Sequence, residues 1–187
     1  MLNRFNSGLI CVLVSFVFLC AGCDLSKTGS SGAGKIFLPF GANYNYEDIL
    51  VTRAVDGDTL KLENGERVRL IGIDTPEMHE SNKLYRDSQK TNMDIDTIKA
   101  LGRKSYLFTK DLVEGKRVRL EFDLEKRDKY KRLLAYVYLK DATFVNAEIV
   151  KQGYASLMTY PPNVKYADEF LKLYREAREN KRGLWGE

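Results

Sequence analysis

From residue 48 onward the chain alternates with a period of two. Leu50, Thr52 and Ala54 interleave with Val51, Arg53 and Val55, and Leu60 and Leu62 lead into Glu63-Asn64-Gly65-Glu66. Asn-Gly between alternating runs is the strongest short hairpin signal, so two strands and a tight turn are predicted here. Val68, Leu70, Ile71 and Ile73 predict a third, mostly buried strand that stops at Asp74-Thr75-Pro76. Two more strands are predicted over 117–123 and 133–139, joined by a charged turn. A three-stranded meander alone would leave open edges, whereas five short strands with tight turns fit a small closed or nearly closed barrel. Three segments instead carry helical spacing. Ile98, Leu101, Ser105, Phe108 and Leu112 recur every three or four residues up to Glu114-Gly115, where Gly suits a helix end. A shorter helix is predicted over 145–153, and a last one over about 164–180 with Ala167, Phe170, Leu171, Tyr174 and Ala177 as its apolar stripe. Its Arg175, Arg178, Lys181 and Arg182 read as a solvated basic end. Residues 78–96 are polar without a sustained period and read as a long exposed loop. The expected fold is therefore α+β, a five-stranded β-barrel with three α-helices, beginning near Asn45.

The first 45 residues follow a different rule. Arg4 precedes an apolar run at 9–21 broken only by Ser15, and Gly22-Cys23 follow. Thirteen apolar residues are short for a membrane span, which needs ~20, but fit the core of an export signal. The polar Gly/Ser-rich stretch after Cys23 reads as a flexible tether. Apolar core, small residues, Cys and tether together resemble a bacterial lipoprotein signal, with Cys20 where Leu is usual. That resemblance implies a signal over 1–22, a lipidated Cys23 and a tether over 23–45. The domain over 46–187 would then be exported and held at a membrane on its periplasmic or extracellular face, or released.

Composition narrows the chemistry. The 187 residues include 30 Lys+Arg, 26 Asp+Glu, one His and three Cys, all three Cys within the first 23 residues. The domain can form no disulfide or thiolate zinc site, and a single His79 excludes a multi-imidazole centre. The net charge of +4 permits an anionic partner without being a polycation. Candidate chemistry sits in three short segments: Asp56-Gly57-Asp58-Thr59, the run from Arg69 to Glu77, and Asp128-Lys129-Tyr130-Lys131-Arg132. Taken singly, each is explained by acidic turns or a snorkelling Arg. Arg69 and Asp74 are five apart, so a regular strand would point them to opposite faces. Taken together, Asp58, Asp74 and Glu77 offer carboxylates and Thr75 a carbonyl, a hard-cation set for Ca²⁺ or Mg²⁺. Arg69 and Arg132 add two planar forks suited to phosphate oxygens. Such parts serve phosphodiester hydrolysis, in which cations neutralise the transition state and a carboxylate activates water.

The motifs VDGDT, RLIGIDTPE and DKYKR, followed by LAYVY and a closing GLW, resemble the staphylococcal nuclease (thermonuclease) family over about residues 48–187. The resemblance implies an OB-type barrel with three helices and a Ca²⁺-dependent nuclease acting on DNA, RNA or both. By motif, Asp58, Asp74 and the Thr75 carbonyl correspond to calcium ligands, Glu77 to the water-activating carboxylate, and Arg69 and Arg132 to the phosphate-binding arginines. Lys129, Tyr130 and Tyr160 are expected to contact substrate. Lys131 stands where the family commonly has Gly. The alternatives at this stage are a non-catalytic nucleic-acid or protein-binding barrel and a hydrolase of another phosphodiester. No protein partner is implied, and a monomer is the expectation.

Overall fold

The computed structural model describes residues 45–186, all within one compact unit; the expected signal, the expected lipidation at Cys23 and the expected tether up to residue 44 lie outside the described residues. Strand β1 (Ile49–Ala54) runs antiparallel to β2 (Thr59–Leu62), with Val51 opposite Leu62. The Asn64-Gly65 turn, with Gly65 at φ +85°, returns the chain as β3 (Arg67–Leu70) in antiparallel register with β2. The predicted third strand is then interrupted. Gly72 adopts φ +84°, and β4 (Gly72–Asp74) leaves the barrel. A side chain at Gly72 would lie 2.5 Å from the Phe170 ring, so glycine is required by both conformation and space.

Residues 78–96 are a correction to the sequence reading. They contain helix α1 (Asn82–Thr91), started by Ser81, whose side chain accepts from the Leu84 amide, and closed by Asn92 at φ +55°. Leu84 is the helix's one buried residue, too little apolar signal for a periodicity to show. Helix α2 (Ile95–Val113) follows, ending before Gly115 at φ +77°. Its buried face is Ile98, Gly102, Ser105, Thr109 and Val113, rotated from the stripe expected from its large residues. Strands β5 (Arg117–Glu121) and β6 (Leu133–Leu139) complete the barrel: β6 pairs parallel to β3 and antiparallel to β5, and β5 pairs with β1. The order β1-β2-β3-β6-β5 closes on itself and leaves no free barrel edge. Val51, Leu60, Leu62, Val68, Leu70, Val118, Leu120 and Val137 alternate inward to form its core.

Helix α3 (Val145–Lys151) sends the fully buried Asn146 to the strand break, where its amide donates to the Ile71 carbonyl at 2.9 Å and accepts from the Val137 amide at 3.0 Å. Strand β7 (Ser156–Met158) pairs with β4, and α4 (Ala167–Glu179) covers this end with Phe170 and Ala177. The expected α+β barrel is present, with four α-helices instead of three and an extra two-stranded sheet, β4 with β7.

Candidate active site

The strand break creates the site. Asp74 sits two residues past Gly72, so the reversal there cancels the expected alternation. Arg69 and Asp74 meet on one side, Arg69 Nη2 to Asp74 Oδ1 at 3.1 Å. The same Nη2 lies 3.1 Å from Asp58 Oδ2, while Arg69 Nη1 donates to the Leu70 carbonyl at 2.8 Å. Asp58 is buried and held from several directions. The Thr75 amide donates to its Oδ2 at 3.0 Å and the Thr75 hydroxyl at 3.2 Å. Its own turn is fixed from behind, where the Thr109 hydroxyl of α2 donates to the Gly57 carbonyl at 2.8 Å. A side chain at Gly57 would stand 2.7 Å from Thr75 and 2.9 Å from Ser105, so the turn packs flush against the β4 exit and α2.

The residue the sequence reading missed is Lys83, on α1. Its Nζ donates to the Thr75 carbonyl at 2.9 Å and pairs with Asp74 Oδ2 at 3.1 Å and Glu77 Oε1 at 3.2 Å; Asp87 Oδ2 lies further out at 3.7 Å. Two of the three expected cation ligands, Asp74 and Thr75, therefore converge on one point together with Glu77. Asp58 instead faces Arg69 and the Thr75 amide. The signals for Lys83 were the Ser81 and Asn92 caps and the helical spacing of Lys83, Arg86, Asp87 and Lys90 between them.

These charges displace one another's proton affinities. Burial pushes the Asp58 carboxyl up, but Arg69 and the Thr75 amide outweigh it and hold the carboxyl below its usual range. For Asp74 burial prevails over Lys83 and Arg69, with the Asp58 charge adding to it, and the carboxyl is raised. Burial would lower Lys83, yet Asp74 and Glu77 raise it, so it stands as an ammonium. Asp56, whose Oδ1 accepts from the Asp58 amide at 3.1 Å, is pushed up to about 7 by burial and by Asp58. Of these two neighbouring carboxyls Asp58 is charged near neutrality, while Asp56 loses its proton only as pH rises through about 7.

Beside this cluster lies a cleft of about 590 Å³ lined by Arg69, Arg86, Lys129, Tyr130, Arg132 and Tyr160, among others. The β3–β6 register sets Arg69 opposite Leu134, and Arg132, just before β6, lines the same cleft. Arg132 is oriented by Asp128, which accepts from its Nε at 2.6 Å and from its amide at 2.9 Å. The tight loop holds Lys131 at φ +65°, a left-handed conformation that favours glycine. Tyr130 is 68% exposed, with the Arg132 guanidinium 5.5 Å from its ring centre and the Lys129 ammonium 5.1 Å from it. Across the cleft Tyr160 is 72% exposed, its loop tied down by Asn163, whose side chain bonds both main-chain groups of Glu125 at 2.8 Å. A pocket of about 360 Å³ elsewhere, beside Arg119 and Tyr138, gathers no comparable set.

Among the described residues no three His, Cys, Asp or Glu side chains form a metal cage by themselves. The donor chemistry nevertheless fits a hard cation. Two carboxylates and a carbonyl meet within 3.2 Å of a positive charge, with oxygen as the only ligand atom.

Comparison with known proteins follows this geometry. Residues 67–187 match the family described as Staphylococcal nuclease homologue, a span that includes Arg69 to Arg132 but begins after Asp58. Similar chains include the thermonuclease of Staphylococcus intermedius, 39% identical over 74% of this chain and 76% of its own. An uncharacterized protein of Methanocaldococcus jannaschii is 36% identical over 95% of this chain and 93% of its own. Endonuclease YncB of Bacillus subtilis is 36% identical over 74% of this chain and 61% of its own.

Proposed function

This chain belongs to the family of staphylococcal nuclease homologues, and from that premise we propose that it is a Ca²⁺-dependent nuclease that hydrolyses phosphodiester bonds of DNA, RNA or both. The observation that carries the reading is the junction at Arg69, which joins the carboxylate cluster to a cleft bearing a second guanidinium and two exposed tyrosines. Asp74 and the Thr75 carbonyl, with Asp58 behind them, would hold Ca²⁺. The ion when bound supplies charge neutralisation to the phosphoryl oxygens.

The chain's own groups divide the remaining work. Arg132, pre-oriented by Asp128, offers a guanidinium edge to the phosphate, where bidentate contact aligns the group as well as neutralising it. Arg69 keeps its Nε–H and one Nη1–H beyond the bonds it makes to Leu70, Asp58 and Asp74, enough to reach a second phosphate oxygen. Glu77 is the carboxylate positioned to take the proton of the attacking water, help typically worth ~10²–10⁴-fold. Tyr130 and Tyr160 are free to stack on bases, ~1–3 kcal/mol each, with little sequence preference. Lys129 adds a phosphate contact. Tyrosine stacking and backbone contacts favour single strands of either sugar.

The experiment is hydrolysis of a long single-stranded DNA by the full chain and by Glu77→Gln and Arg132→Ala. Each substitution should lower the rate at least a hundredfold while leaving the melting temperature within a few degrees. Unchanged rates would overturn the assignment. The proposal extends to location: the signal-like segment and Cys23 support export and a lipid tether. Cys23→Ser should release the protein from membranes.

A further inference from the structure

Lys83 stands where the proposed cation would bind. Its three ammonium hydrogens are matched by three oxygens, from Thr75 at 2.9 Å, Asp74 at 3.1 Å and Glu77 at 3.2 Å, so the convergence point is fully used. A divalent ion needs the Asp74 and Thr75 oxygens at ~2.3–2.6 Å, and it cannot share them with an ammonium in the same place. We infer that Lys83 is a built-in cation that holds the metal seat, so that metal entry is an exchange in which the Lys83 ammonium moves out.

The helix provides the exit. Leu84 anchors α1 in the core and Ser81 caps it, so the backbone of the helix stays fixed while the long side chain moves. The Lys83 side chain is 22% exposed, and Asp87, one turn on along the same helix, lies 3.7 Å away. An ammonium leaving Asp74 and Glu77 therefore moves toward a carboxylate that keeps it compensated. The metal-free protein gains as well. Without Lys83, the buried Asp58 and the half-buried Asp74 would share the charge of Arg69, and the Glu77 carboxylate would lose its ammonium partner. Lys83 thus lowers the affinity for the divalent ion and stabilises the site when the ion is absent. This rests on the proposed reading of Asp74 and the Thr75 carbonyl as calcium ligands, with Glu77 beside them.

The test is calorimetric titration of Ca²⁺ into the full chain, Lys83→Met, Lys83→Gln, Lys83→Arg and Asp74→Asn, with melting temperatures in chelator and in Ca²⁺. Lys83→Met and Lys83→Gln should bind Ca²⁺ at least tenfold more tightly than the unaltered chain. Both should melt lower in chelator and gain more from Ca²⁺. Lys83→Arg, which keeps the charge, should show no tightening, and Asp74→Asn should lose saturable binding. Should Lys83→Met fold poorly, Lys83→Gln retains a donor of similar length and carries the same expectation. Equal or weaker Ca²⁺ binding in both neutral variants, with Asp74→Asn still defective, would overturn the role of Lys83 while leaving the metal site standing. Absence of saturable binding in every protein would instead overturn the cation-binding reading, and the exchange with it.

Discussion

Gly102→Ala tests whether α2 sets the position of Glu77. Gly102 is buried in the middle of α2, where Ala would ordinarily stabilise a helix by roughly 0.5–1 kcal/mol. Here an added Cβ would stand 2.6 Å from the Glu77 carbonyl carbon and 2.7 Å from the carbonyl oxygens of Glu77 and Pro76. These are backbone atoms, and they cannot swing aside as a side-chain end would. Restoring ordinary carbon contacts of ~3.5 Å or more requires the helix and the Pro76-Glu77 segment to separate by roughly 1 Å. Overpacking of this kind costs ~1–3 kcal/mol, so the net change after the helix gain runs from about zero to a loss of ~2.5 kcal/mol, centred near ~1 kcal/mol. For a domain of this size a loss near ~1 kcal/mol lowers the melting temperature by roughly 3–5 °C. The same displacement moves Glu77 relative to the cleft, and a misplacement of about 1 Å can cost ~10²-fold in rate. Calorimetric melting alongside the initial rate on single-stranded DNA reads both effects. A variant that melts higher and cleaves normally would refute the idea that close approach of α2 positions Glu77.

Two other substitutions probe the site's local strain and its protons. Lys131 holds φ +65° in an exposed loop, so Lys131→Gly should raise stability to chemical denaturation by about 0.5–1 kcal/mol; a drop in stability would show that the Lys131 side chain contributes more than its backbone strain costs. Asp56 is raised from 3.8 to about 7 by burial and by Asp58, so the folded chain keeps a proton that the unfolded chain has lost. That contribution is fully present below about pH 4 and disappears as pH rises through about 7. Asp56→Asn imitates the protonated form. In chelator it should melt close to the unaltered protein near about pH 4 and above it at about pH 8; a constant difference across that range would contradict the shift.

The parts of the fold governed by local rules were legible. The hairpin at Asn64-Gly65, the strand Leu133–Leu139 and the helix end before Gly115 each lie where turn chemistry and period two or 3.6 put them. What was not legible depends on distant neighbours. Gly72 breaks the third strand because Phe170 packs on its open face and Asn146 holds the Ile71 carbonyl, both contributed from much later in the chain. Without that break, Arg69 and Asp74 would point apart. The buried face of α2 uses Gly102, Ser105 and Thr109, small residues that allow close approach and bond to loop carbonyls, where an apolar stripe suggested Leu101 and Phe108. Helix α1 carries a single buried Leu84, so Lys83 and Arg86 could be found only from its caps. The motif residues Asp58, Arg69, Asp74 and Thr75 do form one cluster, and Tyr130, Arg132 and Tyr160 line one cleft with Arg69. The spacing could not reveal that Lys83 is seated among the first group.

In the proposed function this carboxylate–guanidinium cluster cuts polynucleotides with the help of Ca²⁺. The most direct measurement is the initial rate of cleavage of a long single-stranded DNA by the full purified chain, in millimolar Ca²⁺ and in excess chelator, with the product ends identified. Shorter strands should accumulate rapidly in Ca²⁺, at a rate at least a hundredfold above that in chelator. Equal rates in the two conditions, or no cleavage in either, would contradict it.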